Sequence, residues 1–189
     1  MRALMNLFEE KFRELVKDER VHRYRIRVNV LGRKEMLPEN VRKAAEGGAE
    51  RVTRKYGDYV LNIALAYGGR SEITDAVRDI VRDALAGRIR PEDVDEDLVK
   101  RYLYYPPKMP DPDIVIRTGG EVRISNFLLY QIAYSELFFV DVYFPEFRKI
   151  DFLRIIREYQ KRGGDVSEGS VHSPDSPASP LRTRFKIFR

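Results

Sequence analysis

Asp111-Pro-Asp-Ile-Val-Ile-Arg-Thr-Gly-Gly-Glu-Val-Arg-Ile-Ser-Asn-Phe-Leu-Leu-Tyr-Gln-Ile-Ala-Tyr-Ser-Glu136 decides how this chain is read. Ile114, Val115 and Ile116 form a short apolar run of the kind that makes a buried strand. Gly119-Gly120 breaks it into a loop region carrying Arg117, Glu121 and Arg123, and Ser125-Asn126 is placed to cap a following helix. A strand, a glycine loop with two arginines and a helix N-terminus suit an anion. Backbone amides and the helix dipole favour negative charge, and guanidinium forks grip phosphate oxygens. The pattern predicts a diphosphate pocket, with Gly119, Gly120 and Ser125 among its lining residues. Ion pairing among Arg117, Glu121 and Arg123 is the structural alternative.

Outward from this segment, strands alternate with helices. Leu4, Leu7, Phe8, Phe12, Leu15 and Val16 fall at helical spacing, and Tyr24, Ile26, Val28 and Val30 alternate with polar residues as a strand does. A helix is expected from about Pro38 to Lys55. A doubly covered strand is expected over Tyr59–Ala66, and after Gly68-Gly69 a helix capped by Ser71, with Ile73, Val77, Ile80, Val81 and Leu85 on one side. Pro91 opens a short helix, Tyr105–Pro110 is a stiff connector, Leu137–Phe144 is a strand, and Asp151 caps a helix to about Lys161. The reading is an α/β fold: a three-layer domain with a mainly parallel sheet flanked by helices, over residues 1–162. From Gly163 the chain turns rich in Gly, Ser, Asp and Pro, so residues 163–189 are expected to be a disordered tail with a basic end.

Composition narrows the classes. The chain has 189 residues, a net charge of +5 and no cysteine, which excludes disulfide and thiol chemistry and makes a cytoplasmic protein the simplest expectation. Acids and bases alternate through most of the sequence, so the net charge describes a solvated surface rather than a nucleic-acid footprint. No apolar stretch approaches the roughly 20 residues needed to span a bilayer. Heavy Arg and Glu use fits a thermophile.

Glu136 stands between two apolar runs and needs a partner, because an unpaired carboxylate is costly to bury. Mg²⁺ and an internal arginine both qualify. Tyr67-Gly68-Gly69-Arg70 repeats the strand-to-glycine pattern, and both turns lie at strand carboxyl ends, where parallel α/β sheets bind ligands. His22 and His172 have no nucleophile arranged beside them, so triad chemistry has no support.

At these residues the chain resembles the cis-prenyltransferases, the undecaprenyl and dehydrodolichyl diphosphate synthase group. The match runs from about Leu4 to Lys161 and rests on Asp113–Glu136, on Leu137–Phe147, and on the block Asn62-Ile-Ala-Leu-Ala-Tyr-Gly-Gly-Arg-Ser-Glu-Ile73. The resemblance implies a transferase that condenses isopentenyl diphosphate in cis onto an allylic diphosphate, making a long polyprenyl diphosphate. It implies that Arg117, Arg123 and Ser125 hold the isopentenyl diphosphate, that Glu121 orients the arginines and that Glu136 helps ligate Mg²⁺. It also implies a homodimer, with peripheral membrane contact through the lipid product.

Three departures qualify this. The family's opening strand and its Asp-Gly-Asn-Gly-Arg loop, which carries the catalytic aspartate, are not in this sequence, so no catalytic residue is assigned. The family's Arg-X-Gly element is replaced by Arg162-Gly163-Gly164, which leads into the tail, and Val122 stands where some relatives are polar. The expected fold is therefore the family's without its first strands. The expectations are little activity for the chain alone, an uncovered sheet edge and a tendency to associate. The alternatives are an inactive fragment and a non-catalytic subunit pairing with a catalytic homologue.

Overall fold

In the computed structural model, residues 2–165 are described; the tail expected over 163–189 lies outside them from residue 166 on. The chain divides into two compact units. Among the described residues, one comprises 2–110 with Asn126–Tyr130; the other comprises Asp111–Ser125 with 131–165.

The first unit opens with the amphipathic helix α1 (Arg2–Lys17) and a short helix α2 (Glu19–Arg23), whose N-terminus is capped by the Asp18 carboxylate. Strand β1 (Ile26–Leu31) follows, then a helical stretch α3 over residues 39–53, which is π-wound at Lys43–Glu50. Strand β2 (Tyr59–Ala64) pairs with β1 in parallel, Val28 opposite Leu61 and Val30 opposite Ile63. Phe12 of α1, Val28 and Val30 of β1, and Val41, Ala45 and Ala49 of α3 make the core, with Leu37 and Leu65. Burying each of the Phe, Val and Leu side chains contributes roughly 1.5–3 kcal/mol. The other edge of β1 is closed by side chains of α3. The Val28 amide donates to Thr53 Oγ1 at 2.9 Å and the Val30 amide to Glu50 Oε1 at 2.6 Å.

Helix α4 (Gly69–Leu85) buries Glu72, Ala76 and Ile80. The residues expected on one side of it keep that helical spacing, and Val77, Val81 and Leu85 of that side are exposed. Helix α5 (Glu96–Tyr102) begins at Asp95, whose carboxylate accepts from the Leu98 amide at 2.7 Å.

The second unit pairs β3 (Ile114–Thr118) with β4 (Glu136–Val140), again in parallel, and ends in α6 (Lys149–Asp165). That helix runs through Gly163, past the point where the sequence suggests a linker. The α/β class and parallel pairing agree with expectation. The sheet itself differs, because among the described residues there are two separate two-stranded sheets rather than one.

The helix expected after Ser125-Asn126 does not form. Ser125, Asn126 and Leu128 have left-handed backbones, with φ of 47°, 65° and 46°, which a helix does not accommodate. The capping groups of Asn126 are used elsewhere. Its carbonyl accepts the Gly69 amide at 2.7 Å and its Oδ1 accepts the Arg70 amide at 2.8 Å, so Asn126 caps α4 across the chain.

Candidate functional site

Arg117 is the penultimate residue of β3, and the loop beyond it turns back on itself. A single oxygen, Glu121 Oε2, accepts from Arg117 Nη2 at 2.7 Å and from Arg123 Nε at 2.6 Å. Two guanidiniums are thereby fixed beside each other by one carboxylate, leaving a net positive charge at the carboxyl end of β3. Arg117 is 27% exposed and Arg123 68% exposed. Arg117 Nε is buried and has no partner among the described residues. A buried donor without an acceptor calls for an explanation, and an anionic ligand supplies one. The ion pairs of the structural alternative exist, and they leave one guanidinium donor unused.

The glycines serve this loop differently from the way their sequence suggests. Gly119 and Gly120 have φ of 92° and 73°, a region glycine enters without strain. Their amides are already used, donating to Val142 O at 2.9 Å and Val140 O at 3.1 Å. They continue the β3–β4 pairing and do not form a phosphate nest. A Cβ on Gly119 would meet open space, whereas one on Gly120 would meet Asp141 Oδ1 at 2.7 Å. Asp141 is thus a site neighbour that sequence reading missed; its only signal is a carboxylate directly after an apolar strand. Ser125 is exposed, with no helix behind it to supply a dipole.

Glu136 is not brought to this cluster. It opens β4 opposite Ile114, and Arg117 lies opposite Phe139, so Glu136 and Arg117 are three registers apart along the strands. At about 3.3 Å per residue that is roughly 10 Å. Alternation also places them on opposite faces, with Glu136 and Phe138 on one and Arg117 and Phe139 on the other. The partner of Glu136 is Arg162 of α6, whose Nη1 donates at 3.3 Å and whose guanidinium lies 5.4 Å from the Phe138 ring centre. The internal arginine is realised. No group of three His, Asp or Glu residues that could hold a metal ion is found among those described.

At the carboxyl ends of β1 and β2, in the other unit, a second polar network surrounds the start of α4. Glu72 is fully buried and accepts from Tyr67 Oη at 2.5 Å and from the Tyr105 amide at 3.1 Å. Burial, and next the Glu72 carboxylate, push the Tyr67 phenol up. Arg33 makes two bonds to Asp75, at 2.8 and 2.9 Å, and Tyr104 donates to the same carboxylate. The Arg33 guanidinium, and next the Tyr104 hydroxyl, hold the Asp75 carboxyl well below its usual range. Burial, followed by Asp75, pushes Tyr104 up to about 12. Gly69 makes room for the chain beside it: a Cβ there would lie 2.7 Å from Leu129 Cγ and 2.9 Å from its amide nitrogen.

The family model of the undecaprenyl diphosphate synthases matches residues 1–166. The chain belongs to that family. It is 86% identical over 160 residues to the tritrans,polycis-undecaprenyl-diphosphate synthase (geranylgeranyl-diphosphate specific) of Thermococcus kodakarensis, a match covering 85% of this chain and 60% of that protein. The synthase of the same description from Pyrococcus furiosus is 79% identical over 159 residues, covering 84% of this chain and 60% of the relative. Among solved structures, the lavandulyl diphosphate synthase of Lavandula x intermedia, in complex with dimethylallyl diphosphate, is similar at a TM-score of 0.77. It is 35% identical, and the match covers 83% of this chain and 66% of that one. The chain therefore spans about 60% of the length of these curated relatives. No helix of the described residues is long and apolar enough to cross a membrane.

Proposed function

We propose that this chain carries the isopentenyl diphosphate half-site of a cis-prenyltransferase, with geranylgeranyl diphosphate as the allylic starter and a polyprenyl diphosphate as the product. The observation that carries it is the arginine pair clamped by Glu121, with the Arg117 Nε donor buried and unspent. A diphosphate oxygen is the acceptor that donor lacks, and a fixed guanidinium pair meets diphosphate charge without reorganising. Holding the isopentenyl diphosphate there orients its double bond towards the allylic carbon. The carbon–oxygen bond of the starter breaks, a carbon–carbon bond forms, and a proton leaves the isopentenyl unit.

Mg²⁺ belongs to this reading through its affinity for diphosphate oxygens. When bound, it would neutralise charge developing on the leaving diphosphate. Ser125 remains part of the proposed half-site by resemblance alone. A homodimer and peripheral contact with membrane through the product complete the proposal. A second reading, a non-catalytic subunit of a heteromeric enzyme, is favoured by Glu136 facing away from the arginines within this chain.

Titration calorimetry with isopentenyl diphosphate tests the half-site. Arg117→Ala removes charge-assisted bonds of about 1.5–3 kcal/mol, so affinity should fall by roughly 10-fold or more. Equal affinity for both forms overturns the assignment. Incorporation of labelled isopentenyl diphosphate, with and without a full-length homologue, separates the two readings. Turnover in the mixture that falls when Arg117→Ala is placed in this chain supports the first, and turnover in the mixture that Arg117→Ala leaves unchanged supports the second.

A further inference from the structure

Averaged along the sequence the charges alternate, but folding gathers one sign of them. Residues 17–27 and 51–59 hold eight arginines and lysines against three acids, a surplus equal to the net charge of +5 on the whole chain. The fold brings these two stretches to one place, the amino ends of β1 and β2. Ile26 and Tyr59 stand opposite each other where the parallel pair begins. The Val28 amide ties the end of α3 to the start of β1 through Thr53. His22 links the rest: its Nε2 donates to Val16 O at 2.7 Å, near the end of α1, and its Nδ1 meets the Tyr56 hydroxyl at 3.0 Å. Arg25, held in a left-handed backbone with φ of 50°, reaches across to Asp58 at 3.4 Å.

Two of the eight cations are neutralised, Arg20 by Asp18 and Arg25 by Asp58. Lys17, Arg23, Arg27, Arg51, Arg54 and Lys55 are exposed and have no ion pair among the described residues. On α4, by contrast, Arg78 and Arg82 each pair with an acid three residues away. The amino end of the sheet therefore carries a field of one sign, which fits an extended anion. Nucleic acid is poorly served by it. Arg23 stands 5.7 Å from the ring centre of Tyr24 and Arg25 5.5 Å from that of Tyr56, against which His22 also packs edge-on. Neither ring stands free as a platform for a base. The cations also come from three separate segments rather than from one helix or ribbon able to enter a groove. A plane of anionic headgroups asks only for point charges spread over a face. The proposed polyprenyl product gives such a face a use, because a long isoprenoid chain partitions into a bilayer; the choice of lipid as the anion rests on that reading, and the patch itself does not.

We propose that the basic face at the amino ends of β1 and β2 docks the protein on an anionic lipid bilayer. The test is co-sedimentation of the full chain with vesicles, one set of phosphatidylglycerol and phosphatidylcholine in equal parts and one of phosphatidylcholine alone. The chain should bind the first set and not the second. A Lys or Arg near an anionic surface is worth about fivefold in partitioning. The combined variant Arg23→Gln, Arg54→Gln and Lys55→Gln should therefore bind roughly 100-fold more weakly. A matched variant on α6, Arg154→Gln, Arg157→Gln and Lys161→Gln, removes the same formal charge and should lose less than about threefold. The three patch side chains are exposed and unpaired, so that variant should melt with the parent; should it fail to fold, Arg54→Gln alone, with a loss of about fivefold, carries the test. Arg117→Ala should bind vesicles as the parent does while losing isopentenyl diphosphate, so failure of the docking face and failure of the half-site are told apart. No binding to the anionic vesicles, equal binding to the neutral ones, or equal losses in the two triple variants overturns the proposal. Binding of a labelled DNA duplex or single-stranded RNA that persists at salt where the vesicles are released assigns the face to nucleic acid and overturns it too.

Discussion

Replacing Gly69 with alanine should destabilise the protein, although alanine is the better helix former. At a helix interior alanine gains up to about 1 kcal/mol over glycine, and less in a first turn. Against this stands the new methyl group, 2.7 Å from Leu129 Cγ, 2.9 Å from Leu129 N and 3.0 Å from Leu129 Cβ. Ordinary carbon contacts lie near 3.5–4.0 Å, so Leu129 must retreat by about 0.8 Å, and its backbone cannot swing aside as a side-chain tip could. Three residues away, Asn126 accepts the first two amides of α4. Displacing the segment strains that cap, which is worth about 1 kcal/mol, and overpacking adds about 1–3 kcal/mol. The net loss is about 2 kcal/mol, or roughly 4–8 °C in melting temperature for a domain of this size. Calorimetric melts of Gly69→Ala and Gly47→Ala give the comparison, because Gly47 is helical with nothing within 4 Å of its added methyl. Gly47→Ala should hold or raise the melting temperature. A Gly69→Ala protein as stable as the parent would refute the packing argument and return the Tyr-Gly-Gly-Arg turn to a ligand-binding role.

Stability should fall at both ends of the pH scale through one cluster. Asp75 has a folded pKa below the ordinary 3.8, so its stabilisation is complete above that value and is lost as the pH falls below it. Tyr104, raised from 10.0 to about 12, stabilises fully below pH 10 and loses its contribution between about 10 and 12. Urea melts from pH 2 to 12 should show both slopes, and Asp75→Asn should flatten the acid one; an unchanged acid slope would contradict the assignment. Glu136→Gln should leave isopentenyl diphosphate affinity within about twofold, because Glu136 lies on the opposite face from Arg117. Its stability cost should stay under about 1 kcal/mol, since Glu136 is 29% and Arg162 61% exposed. A tenfold loss of affinity in calorimetry would show that Glu136 reaches the diphosphate.

What the sequence made legible was local. The amphipathic α1, the alternation in β1 and the apolar run of β3 each follow from spacing within a few residues. The Arg117–Glu121–Arg123 cluster is legible for the same reason, as the three residues span one loop. Asn126 marks the limit. Its residue type and the apolar stretch after it announce a local helix start, but the amides it caps belong to Gly69 and Arg70, more than fifty residues earlier. A cap signal says that a side chain will accept from a helix N-terminus. It does not say which helix. Glu136 is similar: its need for a partner was readable, but Arg162 becomes its neighbour only when α6 packs beside β4.

The two Gly-Gly turns sharpen the point, because they look alike in sequence and have different physical causes. Gly119 and Gly120 are required by backbone angle, both with positive φ, and Gly120 also by the nearby Asp141 carboxylate. Gly68 has an ordinary extended φ of −159°, and Gly69, which carries no positive φ, is required by the contact with Leu129. Neither turn therefore needs a phosphate to account for its glycines. That transfers the weight of the diphosphate reading from the glycines to the side chains, and above all to Arg117 Nε, a buried donor with no acceptor among the described residues.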